Sequence, residues 1–167
     1  MTAAHDHTPD DEQPFEIAGL RIDILEGAFS WYIRSIDSAV SKDLDARMRH
    51  LEVAKGKGKI TALFLIDDYP GIRPSAIAKV LMRDRPATGR VIDKLVTAGL
   101  ATRETHVGDA RAQALHITPK GHALAEEVRE IIRQQEREFF DVIPDEDRDQ
   151  FMRLLKRAYM GIRDKWQ

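Results

Sequence analysis

The chain has 167 residues and 43% hydrophobic side chains, which is enough for one folded unit of ordinary domain size. It contains no cysteine, and this excludes a disulfide framework, thiolate catalysis, cysteine-based zinc sites and thiol redox sensing. The formal net charge of −2 gives no bulk argument for nucleic-acid binding, and no stretch approaches the roughly 18 uncharged apolar residues that a membrane-spanning helix needs.

The N-terminal segment is polar and acidic, and it has neither the basic region nor the apolar region of a signal peptide. We therefore expect a disordered tail over residues 1–16 and a cytoplasmic protein. From Ile17 onward apolar residues recur at steps of three to five, which predicts a helical region over residues 17–58. Lysines and glycines at Arg47–Lys59 predict a flexible break near the end of this region.

The next three predicted elements are short helices. The first covers Ile60–Asp68 and ends at the Pro70–Gly71 turn signal, and the second covers Pro74–Leu81 with proline in its first turn. A tight turn leads to the third, Pro86–Ala98, which the following glycine closes. In this third helix an inward-facing stripe recurs at helical spacing, formed by Thr88, Val91, Ile92 and Leu95.

A hairpin and two long helices complete the chain. Alternating residues over Leu100–Thr105 and Ala112–Ile117 predict two strands joined by a glycine-containing tip. Amphipathic helices are expected over Lys120–Val142 and Asp145–Lys165. The predicted fold is mainly α with a small β-hairpin wing (α+β): a winged helix-turn-helix at residues 59–120, flanked by dimerisation helices in 17–58 and 121–167. Helix-turn-helix units commonly read DNA.

The last two helices carry more apolar surface than one small domain can cover, which predicts a homodimer. Its mass would be about 38 kDa, twice the 19.0 kDa of the chain, and its interface would exceed the usual size for two proteins. The predicted seam consists of Leu154, Leu155, Ala158 and Ile162.

Charge is distributed unevenly along the chain. Between Ile72 and Lys120 there are nine basic and four acidic residues, a net of +5, which leaves −7 for the rest. A basic winged helix on an acidic body suits phosphate contact, because local charge sets the field at the duplex. In the third helix the residues off the apolar stripe are expected on the exposed side: Arg85, Pro86, Gly89, Arg90 and Lys94.

Two sequence blocks, in register, resemble the MarR family of bacterial winged-helix transcription regulators. One runs from Asp109 and Arg111 through alternating aliphatic residues to Thr118-Pro-Lys-Gly121. The other consists of Ile77-Ala78, Leu81, Arg90–Leu95 and Ala98–Leu100. The resemblance, which extends from about Leu25 to the C-terminus, implies an obligate homodimer on a pseudo-palindromic operator. It also implies intertwined terminal helices, recognition helices in successive major grooves, and most often a repressor released by a small-molecule effector.

The recognition helix departs from the family where the family often has serine and threonine. This chain has Pro86, Ala87 and Gly89 there, so fewer hydroxyl groups can bind bases, and we expect sequence choice to depend on Arg85, Arg90 and DNA shape. Arg90 is expected to contact a base or a phosphate. The candidate DNA-binding residues are Arg73, Ser75, Arg85, Pro86, Gly89, Arg90, Lys94, Asp109 and Arg111.

Two of these candidates have specific expected roles. Arg111 at the wing tip can enter a minor groove, and the family resemblance makes Asp109 the group that orients it. Ser75, near the start of a helix, suits a phosphate, although a simple capping serine explains it equally well.

An effector site is suggested by the resemblance alone. Many family members bind small aromatic or carboxylated molecules beside the first helix, which implies that Trp31, Tyr32 and Arg34 bind an aromatic acid or a CoA thioester. Core packing of Trp31 is an equal alternative.

Neither a metal site nor a cofactor is predicted. His122 and Glu126 have the i, i+4 spacing of a ligand pair and His116 lies six residues upstream, but no zinc-enzyme motif is present. The alternative functions are an architectural DNA-binding protein without an effector and, less favoured, a small helical metal-dependent enzyme. No nucleophile–base pattern or glycine-rich phosphate loop supports catalysis, so we expect no enzyme activity.

Overall fold

The computed structural model describes residues 16–51, 58–105 and 113–165. In chain order the elements are β1 (Glu16–Ile17), β2 (Leu20–Arg21), α1 (Asp23–Glu26), α2 (Phe29–Arg47), α3 (Lys59–Asp68), α4 (Pro74–Leu81), α5 (Arg85–Thr97), β3 (Ala101–Thr105), β4 (Gln113–Ile117), α6 (Pro119–Phe139) and α7 (Asp145–Lys165). This order confirms the predicted mainly helical fold with a small β-hairpin. Among the described residues no helix is long and apolar enough to cross a membrane.

The first compact unit runs up to Ser41, and its beginning differs from the prediction. Residues 1–15 of the expected disordered tail lie outside the described residues, and Glu16 belongs to strand β1. The helical region expected from Ile17 was wrong at its beginning, which forms two short strands. Ala18 and Gly19 both have positive φ, so they form a two-residue hairpin loop that pairs β1 with β2. The long helix α2 begins only at Phe29.

The second compact unit, from residue 42 onward, contains the hydrophobic core. All four residues of the predicted inward stripe on α5 are buried, which confirms the face that this helix presents to the core. The largest fully buried apolar side chains of the core come from the residue after α2, from α3 to α5, from the turn before β3, from β4 and from α6. They are Met48, Leu63, Ile66, Ile77, Ile92, Leu95, Leu100, Leu115 and Val128.

Helices α3, α4 and α5 and the hairpin β3–β4 form the winged helix. The strands pair antiparallel from Ala101 opposite Ile117 to Thr105 opposite Gln113. The predicted helix and strand bounds in this segment agree with the structure to within one residue. One feature was not predicted: Ile72, before α4, bridges to Leu115 and adds a third short partner to the wing.

The Thr118-Pro-Lys-Gly121 segment joins the end of α5 to the start of α6. The Thr118 hydroxyl donates to the Gly99 carbonyl at 2.7 Å and accepts from the Gly121 amide at 3.0 Å, which caps α6. Lys120 donates to the Ala98 carbonyl at the C-terminal end of α5, at 3.0 Å. Only glycine fits at 121, because a Cβ there would collide with the Leu100 carbonyl oxygen. This motif therefore fixes the end of α5 against the start of α6.

Helix α6 ends at Phe139, three residues before the predicted Val142. The Arg148 guanidinium of α7 donates to the carbonyls of Phe140 at 2.7 Å and Ile143 at 3.1 Å. The Phe140 carbonyl also accepts from the Ile143 amide at 3.1 Å, so these bonds together hold the turn between α6 and α7 ahead of Pro144.

Candidate nucleic-acid interface

The α4–α5 turn is specified by local sequence. Pro74 occupies the first turn of α4, and Met82, with φ of +50°, ends that helix in the left-handed conformation. The Asp84 carboxylate then accepts from the Ala87 amide at 2.6 Å and caps α5, while Pro86 pre-forms the first turn. Because the stripe of α5 is buried, its arginines and lysine are turned toward solvent.

The structure brings three predicted DNA-binding residues together between α4, α5 and the wing. Arg73, Ser75 and Arg85 line a surface cavity of about 290 Å³ that Gln113 of β4 also lines. Ser75 and Arg85 further line a neighbouring cavity of about 610 Å³ with Lys79, Arg83 and others. The backbone N–H groups at the start of α4 and these cations form surroundings suited to an anion such as a phosphate.

Six exposed cations dominate this region, and we call them the α4–α5 cations: Arg73, Lys79, Arg83, Arg85, Arg90 and Lys94. Within the part of the chain that the structure describes, none of them forms an ion pair. Their charge is therefore available to a ligand. Two other cations of the basic segment are already engaged, since Arg103 of β3 pairs with Asp93 of α5 and Lys120 binds the end of α5.

The remaining predicted DNA-binding residues have different placements. Pro86 is exposed, whereas Gly89 is half-buried rather than exposed, although a Cβ at position 89 would meet no atom within 4 Å. Asp109 and Arg111 lie outside the described residues, so the structure places only the base of the wing. Sequence reasoning missed Lys79, Arg83 and Gln113 as site residues. The basic count included the first two, but Gln113 gave no signal.

The predicted effector residues lie on α2. The rings of Trp31 and Tyr32 meet edge to face with centroids 4.9 Å apart, and both side chains are half-buried. Arg34 is exposed, and no residue of α2 is fully buried. The first unit therefore presents an aromatic pair and a nearby guanidinium on one helix.

His122 and Glu126, the weak ligand pair of the sequence, gain a third neighbour from α3. His122 Nδ1 lies 2.8 Å from Oδ1 of Asp67, and the Arg129 guanidinium binds Oδ2 of the same carboxylate at 2.7 Å. Burial acts to raise the pKa of Asp67, but the hydrogen bonds from His122 and Arg129 outweigh it and hold that pKa below its ordinary value. His116 is elsewhere, beside Glu104 on the wing.

Sequence comparison places this region among known regulators. The model of the MarR family matches residues 58–112, from the start of α3 to the wing. A transcriptional regulatory protein named for the hcr operon of Thauera aromatica is 32% identical over 97 residues. That alignment covers 58% of this chain and 58% of the relative's length.

Solved structures show the same fold. A MarR protein from Peptoclostridium difficile DA00132 superposes with a TM-score of 0.78 at 24% identity, covering 90% of this chain and 97% of that one. A MarR family transcriptional regulator from Listeria monocytogenes, solved with a 26-mer DNA, gives a TM-score of 0.73 at 21% identity and covers 82% and 90%. The described elements thus have the arrangement found in these winged-helix regulators.

Proposed function

We infer that this chain, which belongs to the MarR family, is a transcription regulator that binds double-stranded DNA through its winged helix. The observation that carries this proposal is the set of six exposed α4–α5 cations without ion pairs in the described chain, arranged around a capped and rigid α5. These side chains can therefore bind phosphates without first breaking an ion pair within the described chain. The Listeria monocytogenes neighbour, solved with DNA, supports the same use of the fold.

In this proposal α5 is the recognition helix, and the elements before it bind the sugar–phosphate backbone of the DNA. Arg73, Ser75 and Arg85 bind a phosphate at their shared cavity. Arg90 reads a base edge in the major groove, where an arginine can bind guanine with two hydrogen bonds. Lys94 contacts the backbone one turn further along the helix. Arg111, oriented by Asp109, enters the minor groove beside the major-groove site.

Pro86 and Gly89 set what the helix can read. Neither side chain offers a hydrogen-bond donor, but position 89 has open space where a Cβ would stand, so a base pair can approach the helix closely there. Specificity in this proposal comes from Arg85 and Arg90, from apolar contact with thymine methyl groups, and from DNA shape.

In this proposal the chain binds a pseudo-palindromic operator as a homodimer, with one recognition helix on each half-site. Helix α7 has no buried residue, and seven of its large apolar side chains are 38–51% exposed. Apolar surface of this extent is characteristic of an interface. We place the seam at Leu154, Leu155, Ala158 and Ile162, and the half-sites about 34 Å apart, one helical turn of DNA.

The regulatory part of the proposal is repression relieved by a ligand. An anionic aromatic acid or its CoA thioester would stack on the Trp31–Tyr32 pair and bind the exposed Arg34. The ligand would favour a dimer state whose two recognition helices no longer match the operator spacing. An architectural protein without an effector is the alternative, and catalysis has no place in either version.

Binding to the DNA upstream of the chain's own gene tests the first part. Fluorescence anisotropy should show preference for this duplex over a scrambled duplex of equal composition. Arg90→Gln should reduce that preference, whereas Arg133→Gln, on an exposed arginine of α6 paired with Glu130, should not. Equal affinity for both duplexes would contradict a sequence-specific regulator.

The effector is tested by tryptophan emission in a Trp166→Phe background. Aromatic acids and their CoA thioesters should quench Trp31 and lower operator affinity about 5–150-fold, the usual range of allosteric coupling. By linkage, operator DNA should weaken ligand binding by the same factor. Ligands that change neither emission nor DNA binding would favour the architectural alternative.

A further inference from the structure

We propose that Asp67, His122 and Glu126 form a binding site for a divalent transition-metal ion where α3 meets α6. One imidazole nitrogen and one oxygen from each carboxylate all lie within 4.8 Å of one another. His122 and Glu126 share a face over the first two turns of α6 because they are four residues apart. Asp67 joins them from the end of α3, 55 residues earlier in the chain.

The separations of the ligand atoms suit a metal ion. Bonds from zinc to imidazole or carboxylate are about 2.0–2.2 Å, so two ligands in the tetrahedral arrangement that zinc prefers stand about 3.4 Å apart. His122 Nδ1 and Asp67 Oδ1 are now 2.8 Å apart and joined by a hydrogen bond, which an ion between them would replace. The side chains of His122 and Glu126 are exposed, so both can adjust around the ion while Asp67 keeps its place.

The site is anchored on one side and open on the other. The Asp67 side chain is 7% exposed, whereas those of His122 and Glu126 are 60% and 55% exposed. A buried carboxylate therefore fixes the position of the ion, and the other two ligands admit it from solvent. The cap at Thr118 and the close contact at Gly121 hold the start of α6, so the backbone of the ligands is preorganised.

The local charge favours an added cation. Three carboxylates, those of Asp67, Asp68 and Glu126, surround the single guanidinium of Arg129. These four groups together carry a net charge of −2. Arg129 binds Asp67 through Oδ2 and Glu126 through Oε1, and a metal ion needs only one oxygen from each carboxylate.

The donor set determines the class of ion. One imidazole and two carboxylates suit zinc, cobalt, nickel or manganese better than magnesium or calcium, which prefer oxygen ligands only. With three protein ligands, water fills the remaining positions.

The experiment titrates the full, untagged chain with Zn²⁺ by calorimetry and with Co²⁺ by visible absorbance. All variants carry His5→Gln and His7→Gln, so that these tail histidines contribute no binding. We expect one ion per chain. Loss of a group that merely supports a metal ligand typically weakens binding about 10- to 100-fold, so His122→Gln, which removes a ligand, should weaken it by at least as much.

A second histidine–carboxylate pair, formed by His50 after α2 and Glu127 of α6, supplies the matched control. His50 Nε2 lies 3.3 Å from Glu127 Oε1, both side chains are about half exposed, and in the described chain no third ligand joins them. His50→Gln and Glu127→Gln should therefore leave metal affinity unchanged, while Glu126→Gln should weaken it. Equal affinity in His122→Gln and His50→Gln would overturn the proposal.

Substitution of Arg129 distinguishes a metal site from a cluster of ion pairs that only stabilises the fold. Arg129→Gln removes the cation that competes for Asp67 and Glu126, so Zn²⁺ should bind several-fold more tightly while the metal-free protein melts at a lower temperature. Zn²⁺ should also raise the melting temperature of the parent chain but not that of His122→Gln. Loss of Zn²⁺ binding in a folded Arg129→Gln protein would overturn the proposal.

Discussion

Two regions of the second unit differ in whether their arginines form ion pairs within the described chain. At the junction of α3 and α6, Arg129 binds Asp67, Asp68 and Glu126 and lies over the Phe64 ring, 4.9 Å from its centroid. The α4–α5 cations are exposed and form no ion pair within the described residues. A paired cation stabilises the fold, whereas an unpaired one keeps its charge for a ligand. The number of arginines in a segment does not distinguish these uses.

The same distinction divides the basic segment itself. Arg103 pairs with Asp93 of α5, and Lys120 binds the carbonyl of Ala98 at the end of that helix. Both residues belong to the net +5 of the segment, yet both hold α5 in place. The positive charge that we propose to meet DNA is thus carried chiefly by the α4–α5 cations.

Salt should separate the two regions most strongly. If two copies of the chain make six to ten phosphate contacts, operator affinity should fall about 10³–10⁵-fold between 50 and 200 mM salt. The melting temperature should change little over this range, because the partly buried pairs of Arg129 are weakly screened. Anisotropy and thermal melting at matched salt measure the two effects, and a salt slope near zero for DNA would contradict the role of the unpaired cations.

Arg129→Gln should chiefly affect folding. Removing the guanidinium leaves the buried Asp67 carboxylate with one partner fewer, and we expect a loss of about 2–3 kcal/mol in the free energy of unfolding. Urea denaturation measures this loss. The control is Arg133→Gln, whose exposed pair with Glu130 should contribute less than about 1 kcal/mol. DNA affinity should be unchanged in both variants. A large loss of DNA affinity in either variant would contradict the division between arginines that stabilise the fold and arginines that bind DNA.

Arg90→Gln should have the reverse effect. This side chain is exposed and forms no ion pair in the described chain, so the melting temperature should remain that of the parent. Operator binding should weaken by about 1–3 kcal/mol, with relaxed specificity at one base position if Arg90 reads a base. A uniform loss over all sequences would instead identify Arg90 as a phosphate contact.

The smallest expected effect concerns pH at the contact of α2 with α6. A hydrogen bond from Arg47 lowers the pKa of Asp43, and bonds from Gln134 and Arg47 lower that of Glu138. Since both pKa values are depressed in the folded chain, their stabilising effect is present at neutral pH and is lost as pH falls through the folded pKa values, below about 4.

Arg47→Gln should therefore destabilise the chain at pH 7 and lose this effect toward pH 3. Denaturation at both pH values measures the difference between variant and parent. A difference that stayed constant with pH would show that the ion pairs do not stabilise the contact.

Local sequence was sufficient to predict the winged helix. Pro74, the cap at Asp84 and the spacing of Thr88, Val91, Ile92 and Leu95 act within one or two turns, so α4 and α5 could be located from the sequence with their buried face. The hairpin at β1–β2 was missed, because two-residue strands depend on the left-handed turn at Ala18 and Gly19 rather than on periodicity.

Contacts between distant residues were decided only by the tertiary structure. The sequence determined that Arg85, Arg90 and Lys94 face solvent, because a helix with one apolar stripe turns its other side outward. It did not determine which basic residues are already paired, as Arg103 and Arg129 are. It also did not join Asp67 to His122, since packing α3 against α6 brings together groups that no local spacing relates.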